Sequence, residues 1–478
     1  MLVWSASTAI GSGLTKSTQA NARRRFVATV AAGIALATCD VRASRADTLP
    51  DALSQAYASN PSLNAGRAGL RATDENVPRA LSGYRPSVAA AASAGVTRLD
   101  GVVSGERFRE TLLPRQVGLQ VTQNLFNGFR TANGTRQAET EVLAGREDLR
   151  QTEQATLFAV AQSYMNVLRD AAILDLQRNN VEVLEEQLRQ TRLRNEAGAV
   201  TRTDVAQAES RLAAARSQTS SAEAALRTST SEYRRVVGRE PRRLAAGRPP
   251  DNLFPRNLGA AVAEALTHHP TVAAALHAAD AAELQVKIVE GELAPTLSVI
   301  GSVGQAYATE ERNDRAFTAA ILGQLSIPIY QGGEVSARVR QAKETAGQRR
   351  IEAEATRDAI RAGVLTAWGA LEAAKAQTLA AQAQARAAEV ALAGVREEAR
   401  AGQRTTLDVL NQQQELLIAR VNLVVAQRDR VVSSFAVAQA VGNLSATSLA
   451  LAVRNYRAAD HYDQVRDRVW GLSTPDGR

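Results

Sequence analysis

The side chains that most often perform catalysis or bind metals are scarce in this sequence and poorly placed for either task. The four histidines are His268, His269, His277 and His461, and none has the spacing of a zinc site such as HExxH. Cys39 is the only cysteine. The sequence contains no GxSxG nucleophile motif, no GxxxxGK[ST] phosphate loop and no GxGxxG motif. It therefore predicts no enzyme, no cofactor and no metal site, with solvated positions for His268 and His269.

Two short polar motifs carry more specific information. Thr201-x-x-Asp204 and Thr405-x-x-Asp408 have the spacing of a capping box, in which a hydroxyl and a carboxylate bind the free amides that begin a helix. An acidic residue in the first turn also suits the helix dipole. Each motif follows a glycine, Gly198 or Gly402. The motifs predict a helix start after each glycine, and they leave open whether the carboxylates have a second task.

The first 46 residues have the pattern of a secretory signal peptide. The basic run Arg23–Arg25 precedes an apolar segment at 26–39, and small residues predict cleavage before Asp47. A looser match to a lipoprotein cleavage site, which would leave Cys39 lipidated, stays open as an alternative. The whole chain has 57 basic and 49 acidic residues, but the predicted mature chain has 51 and 48. A net charge of only +3 predicts no nucleic-acid partner.

The composition favours helices over a thick mixed core. Of 478 residues, 45% are hydrophobic and only 4% are aromatic, whereas aromatic side chains supply much of the buried area in compact domains. Alanine, leucine, arginine, glutamine and glutamate are abundant, and these residues favour helix. No run of about 18 apolar residues follows residue 46, so the sequence predicts no transmembrane helix in the mature chain.

The chain contains a tandem repeat of one unit. Matching segments recur at a constant offset of 204 residues, as in Glu196-Ala197-Gly198 against Arg400-Ala401-Gly402 and Val237-Gly238 against Val441-Gly442. Asn60-Pro61 recurs as His269-Pro270 at an offset of 209. The offset falls from 209 to 204 between Pro86 and Leu125, so the second copy is five residues shorter there, as expected for a surface loop.

Each copy has the same predicted order: a short helical stretch, two strand-like runs, a very long helix, a break and a second helix. The predicted organisation begins with a signal peptide at 1–46 and a first repeat at 47–238, which has a hairpin at 86–126 and helices at 128–197 and 204–237. A linker at 239–257 leads to a second repeat at 258–442, which has a hairpin at 295–330 and helices at 334–401 and 408–441. A tail at 443–478 follows. The helical stretches before the hairpins are predicted at 49–80 and 258–292, and a polar connection at 100–113 joins the strands of the first hairpin.

The strand-like runs and the long helices both have two-sided patterns. Residues 116–126 alternate polar and apolar side chains, so one face of the strand is apolar. Each run has about 13 residues, and a tilted membrane strand needs about 9–11. Two hairpins do not close a barrel alone, so insertion into a membrane would require several copies. Helix 128–197 has no proline and would be on the order of 105 Å long, with heptad stripes that predict coiled-coil pairs.

These features together resemble the outer-membrane efflux (TolC) family, over roughly Leu49 to Val441. The most specific parts are the strand-to-helix junctions at 125–130 and 329–334 and the two helix breaks. The resemblance implies an α plus transmembrane β-barrel fold: a tandem-repeat protomer with two β-hairpins and long coiled-coil helices. Three protomers would form a 12-stranded outer-membrane barrel continued by an α-helical periplasmic tunnel. The linker and the tail would lie in a belt around that tunnel.

The resemblance also implies a gate at the two helix breaks, where polar and ionic links between neighbouring coiled coils close the tunnel. Residues that match those positions are Thr203 and Asp204 on the acceptor side, Arg404 on the donor side, Asp408 in an acidic ring, and Asn411 where a second aspartate is often found. Ala399 stands where the family has an aromatic partner, so one closing link is expected to be missing. For both aspartates, helix capping alone remains the alternative, and for Arg404 the alternative is a solvated loop arginine.

The function implied is an outer-membrane exit duct that works with a periplasmic adaptor, also called a membrane fusion protein, and an inner-membrane transporter. The sequences of the hairpins and junctions favour the type I secretion branch, which exports proteins through an ABC transporter. The alternative is the outer-membrane channel of a tripartite multidrug efflux pump with another inner-membrane pump. A periplasmic coiled-coil adaptor or scaffold is a third hypothesis, but it explains neither hairpin.

Overall fold

In the computed structural model, residues 47–477 are described, so the predicted signal peptide and the Cys39 alternative lie outside the described residues. Ten α-helices are formed within this range. They are α1 (Leu49–Ser59), α2 (Pro61–Asp74), α3 (Asn76–Leu81), α4 (Arg130–Glu196), α5 (Arg202–Val237), α6 (Leu258–His268), α7 (Pro270–Glu290), α8 (Glu334–Arg400), α9 (Thr406–Val441) and α10 (Ala458–Val465). None of them is long and apolar enough to cross a membrane.

The two copies fold alike over their long helices. Helices α4 and α8 have 67 residues each, and α5 and α9 have 36 each. Both shorter helices end on a left-handed glycine, Gly238 or Gly442, at which any other residue would be strained. The equal lengths follow from the constant offset in the sequence.

Each short helical stretch before a hairpin is divided into separate helices, and His269 is buried at one of the divisions instead of solvated as predicted. The stretch at 49–80 is divided by Asn60, whose side-chain oxygen accepts hydrogen bonds from the amides of Ser62 and Leu63 at 2.9 and 3.2 Å. His269 does the same for α7, accepting from the amide of Thr271 through Nδ1 at 3.2 Å. His269 is buried rather than solvated, and burial lowers its pKa. A neutral ring suits its role as acceptor.

Four antiparallel strands form the main sheet in the order β1 (Ser87–Ala94), β4 (Arg115–Asn127), β5 (Thr296–Tyr307), β6 (Arg315–Ser326). The register aligns Val88, Val121 and Ile321 on one face and Ser87 and Thr122 on the other. Because side chains alternate along each strand, one face of the sheet is apolar and the opposite face is mostly polar or small. The large side chains of the apolar face are exposed in the protomer.

The predicted polar connection at 100–113 is wrong, because this segment forms a second, two-stranded ribbon. Strand β2 (Thr97–Val103) pairs with β3 (Glu106–Leu112) around the turn Ser104-Gly105, in which both residues have positive φ. A two-residue turn of this kind matches the twist of a hairpin. Arg109 lies opposite Asp100 and binds it at 2.9 Å. The segment was predicted as a connection because its many charged residues hide the alternation of apolar side chains that is typical of a strand.

The largest apolar cluster lies where the middle of α4 meets α1, α5, α9, the linker and the tail. Tyr164 is buried in it, and its hydroxyl shares its single hydrogen between the carbonyl oxygens of Ala245 and Asp47, at 2.6 and 2.8 Å. Leu253 of the linker and Leu444 of the tail are buried in the same cluster. The linker and the tail therefore pack on the middle of the long helices.

Candidate functional site

The first helix break is a tight, hydrogen-bonded turn. Helix α4 ends at Glu196, and Gly198 has φ +74°. The amide of Ala199 then donates to the carbonyl of Arg194 at 2.8 Å, and the side chain of Asn195 donates to the carbonyl of Val200 at 2.8 Å. The first bond satisfies a carbonyl group that the helix end leaves free, and the second ties the loop to the last turn of the helix. The break is thus a specified turn between two helices.

The second helix break repeats this geometry. Gly402 has φ +78°, and the amide of Gln403 donates to the carbonyl of Glu398 at 2.9 Å. Helix α9 then begins after Thr405. The same turn therefore occurs at the end of both coiled-coil pairs.

Both predicted aspartates act as helix caps. Asp204 accepts from the hydroxyl and the amide of Thr201 at 2.7 and 2.8 Å, and Asp408 accepts from the same groups of Thr405 at 2.8 and 2.9 Å. The Thr201 hydroxyl and amide hold the pKa of Asp204 below its ordinary value. The amide and hydroxyl of Thr405 do so for Asp408. Capping is thus established for both carboxylates, which carry negative charge at neutral pH at the tips of the coiled coils.

The other three predicted residues are surface groups near the breaks. Thr203 is exposed on the first turn of α5. Arg404 donates through Nε to Glu398 at 2.8 Å, within its own break. Asn411 reaches across the repeats and accepts from Arg211 of α5 at 3.0 Å. The structure therefore brings Asn411 to the first coiled-coil pair, whereas Arg404 pairs within the second.

Ion pairs that the sequence reasoning missed link the two helices of each coiled coil beside its break. Arg216 of α5 binds Glu185 of α4 at 2.7 Å, and Arg420 of α9 binds Glu389 of α8 at 2.9 Å. These two pairs are related by the 204-residue offset, so the repeat itself carried a signal that could have found them. Leu410 of α9 packs with the apolar stripe of α4 and α5, which includes Leu212.

Within residues 47–477, no three histidine, cysteine, aspartate or glutamate residues are grouped so as to hold a metal ion. The features that stand out are physical: a sheet with an exposed apolar face at one end of the long helices, and charged, capped turns at the other.

The outer membrane efflux protein family matches the chain over residues 52–239 and 261–443, one match for each repeat. The chain belongs to this family. It is 41% identical over 439 residues to the outer membrane efflux protein BepC of Brucella suis, covering 91% of this chain and 94% of that protein. It is 25% identical over 360 residues to the alkaline protease secretion protein AprF of Pseudomonas aeruginosa, covering 73% and 74%.

Solved structures have the same fold. The Campylobacter jejuni CmeC outer membrane channel matches with a TM-score of 0.75 at 16% identity, over 88% of this chain and 89% of that chain. The protein is therefore an outer-membrane efflux or secretion channel with a periplasmic helical extension, and it is not an enzyme. The long helices are consequently the part of the chain that extends into the periplasm.

Proposed function

We propose that the protein is the outer-membrane exit duct of a type I protein secretion system, acting as a homotrimer. It would receive cargo from an inner-membrane ABC transporter through a periplasmic adaptor and release it outside the cell. The observation that supports the trimer is a difference between the repeats: a helix–helix contact formed by α4 and α9 has no counterpart between α8 and α5 of the same protomer. The observation that carries the cargo is the similarity to AprF, which is named for protease secretion.

The repeats differ in which faces are covered. Ala161 of α4 is 0% exposed and packs in one cluster with Phe435 of α9. Their equivalents 204 residues away are Leu365 of α8, which is 48% exposed, and Ser231 of α5, which is also exposed. The face between α4 and α9 is thus covered within the protomer, whereas the equivalent faces of α8 and α5 are exposed. If α8 of one copy meets α5 of the next, the copies associate head to tail, and a ring results when the rotation closes.

The sheet gives the same argument at the membrane end. Strands β1 and β6 are its two edges, and each presents unpaired backbone groups. Open edges are not stable in lipid, so β6 of one copy should pair with β1 of the next. Three copies of four strands would give the 12-stranded barrel of the fold class. From Leu297 to Tyr307 the apolar face spans about 34 Å of strand, or about 26 Å at a 40° tilt, which matches the apolar band of such barrels.

Substitution of Leu365 tests the ring. An aspartate there would bury a charge if α8 contacts a neighbouring copy, so Leu365→Asp should convert trimers to monomers. Leu365→Ala removes the bulk without adding charge and is the matched control, expected to remain trimeric. Native mass spectrometry of both variants in detergent measures the result. A stable Leu365→Asp trimer would contradict this interface.

We further propose that the two helix breaks form the gate of the duct. In a ring of three, the tips would bring Thr203, Asp204, Arg404, Asp408 and Asn411 around the tunnel axis. The capped carboxylates stay ionised at neutral pH, so they would form a negative ring at the entrance and attract cations. Capping and lining are compatible, since a cap uses only part of a carboxylate's hydrogen-bonding capacity.

Small-molecule efflux is the second candidate, because BepC, at 41% identity, is named an efflux protein. The two cargo classes separate in a deletion strain compared with its parent and a complemented strain. Loss of one or a few proteins from the culture medium, restored by complementation, supports type I secretion. An unchanged medium with increased sensitivity to antibiotics, dyes or detergents supports the efflux pump instead. A strain unchanged in both respects would contradict both cargo classes.

A further inference from the structure

The end of the chain carries an apolar surface that the exit-duct function does not explain. Val469, Trp470 and Leu472 are 71%, 89% and 103% exposed. The family match ends at residue 443, so this segment lies outside the part of the chain common to the family. Three large apolar side chains within four residues, all open to solvent, mark a contact surface.

The segment is held on a well-anchored base. Helix α10 packs on α2 and, through Tyr462, on the cluster that includes Val142 of α4; its Val465 is fully buried. His461 of α10 binds the buried Asp74 of α2 through Nδ1 at 2.9 Å, and Arg466 reaches Glu139 of α4 at 3.4 Å. The position of the residues that follow α10 is therefore determined by contacts on two helices.

A second contact places the segment at the level of the membrane sheet. Arg85 donates through Nη1 to the carbonyl oxygen of Arg468 at 2.8 Å, and Arg85 is two residues before the first residue of β1. Trp470 is two residues beyond that carbonyl, so its Cα lies within about 7 Å of the Cα of Arg468. Trp470 is thus close to the point where the chain enters the sheet, at the periplasmic end.

The turn that displays the apolar side chains is also specified. The guanidinium of Arg468 donates to the carbonyl and the hydroxyl oxygen of Ser473, which closes the loop. Gly471 has φ +117°, a conformation that other residues rarely adopt, and a Cβ there would lie 3.0 Å from Nη2 of Arg468. The backbone of the loop is therefore held on the inside, and its apolar side chains point outward.

We propose that Val469, Trp470 and Leu472 form a membrane anchor that inserts into the periplasmic leaflet of the outer membrane beside the barrel. Tryptophan favours the membrane–water interface because its ring is apolar and its N–H is polar. Exposed aromatic side chains at the same end of the sheet, Tyr84 and Phe129, extend this surface toward the barrel. The anchor would fix the depth and tilt of the barrel through the tail, independently of which cargo the duct carries.

Tryptophan fluorescence tests the anchor directly. The sequence has three tryptophans, of which Trp4 belongs to the predicted signal peptide, so Trp368 and Trp470 are those of the mature chain. Trp368 lies on α8, far from the sheet in sequence, with its ring centroid 6.1 Å from that of Phe254. The variants Trp368→Phe and Trp470→Phe therefore each leave a single probe, and intact mass confirms the removal of the signal peptide.

Each variant is reconstituted into phosphatidylethanolamine–phosphatidylglycerol vesicles with and without bromine on the acyl chains. Insertion of an interfacial segment to about 5–10 Å predicts that Trp470 loses about half of its emission or more, with shallow bromines more effective than deep ones. Trp368 should lose almost none. Unquenched Trp470 would overturn the proposal. A blue-shifted but unquenched emission would also overturn it, because a protein surface would then cover the side chain. Bilayer conductance of the same samples reports channel insertion separately, so failure of the anchor is distinguished from failure of the duct.

Discussion

The exchange of Arg404 for serine tests the proposed gate most directly. In one protomer Arg404 binds Glu398 at 2.8 Å, with the two side chains 52% and 44% exposed. A pair this exposed is weakened by solvent, and its loss changes an equilibrium only about 1.5- to 5-fold. If Arg404 instead links neighbouring copies in the closed state, three links act together, and their loss multiplies to about 3- to 100-fold in the open probability.

Substitution of its partner separates the two roles. If Glu398 competes with a neighbouring copy for Arg404, then Glu398→Gln frees the arginine and keeps the gate closed, while Arg404→Ser opens it. If Arg404 only stabilises its own break, the two variants behave alike. Arg400→Ser is the matched control, since Arg400 binds Glu397 at 2.6 Å on the same helix end and is also exposed.

The assay is the resting conductance of purified channels in planar bilayers at low and high salt. Arg404→Ser should raise conductance at low salt, and about 1 M KCl should reduce its difference from wild type because the Debye length shrinks to about 3 Å. Conductance equal to wild type, or equal effects of Arg404→Ser and Glu398→Gln, would refute the intermolecular link.

Two further outcomes are expected. The depressed pKa of Asp408 means that its cap stabilises the tip fully above the ordinary carboxyl pKa of 3.8 and is lost as pH falls through the depressed value. Hydrogen exchange should therefore show full wild-type protection at the start of α9 at about pH 5 and a loss of protection only below pH 3.8, whereas Asp408→Asn should show low protection throughout. Equal pH dependence in the two proteins would contradict this assignment. Gly128→Ala should destabilise the protein by about 2–5 kcal/mol, since φ is +66° and a Cβ would lie 2.2 Å from the carbonyl oxygen of Gly291. Gly105→Ala is the control, because φ is +90° but the space is open, so it should show only the conformational cost of about 1–2 kcal/mol. Thermal unfolding in detergent measures both losses of stability, and equal losses would argue against the clash.

Much of the fold follows from local signals in the sequence. The helix breaks were predictable because a left-handed glycine, Gly198 or Gly402, and a Thr-x-x-Asp cap act within a few residues of each other. The alternation in β4 predicted a strand with one apolar face, since side-chain direction has a period of two. The offset of 204 residues related the two repeats because the same local pattern folds in the same way twice.

The tertiary structure alone decided which distant groups meet. The resemblance placed Arg404 on the donor side of the gate links, whereas within one protomer its partner is Glu398, a contact that depends on the path of the turn between them. Asn411 binds Arg211, 200 residues earlier, only because α9 packs beside α5. His269 is buried because the end of α9 closes over it at Gly442, where a Cβ would lie 3.1 Å from its Cα. Sequence patterns record local backbone preferences and the direction of the apolar face, whereas the partner of a polar side chain depends on the packing of whole helices.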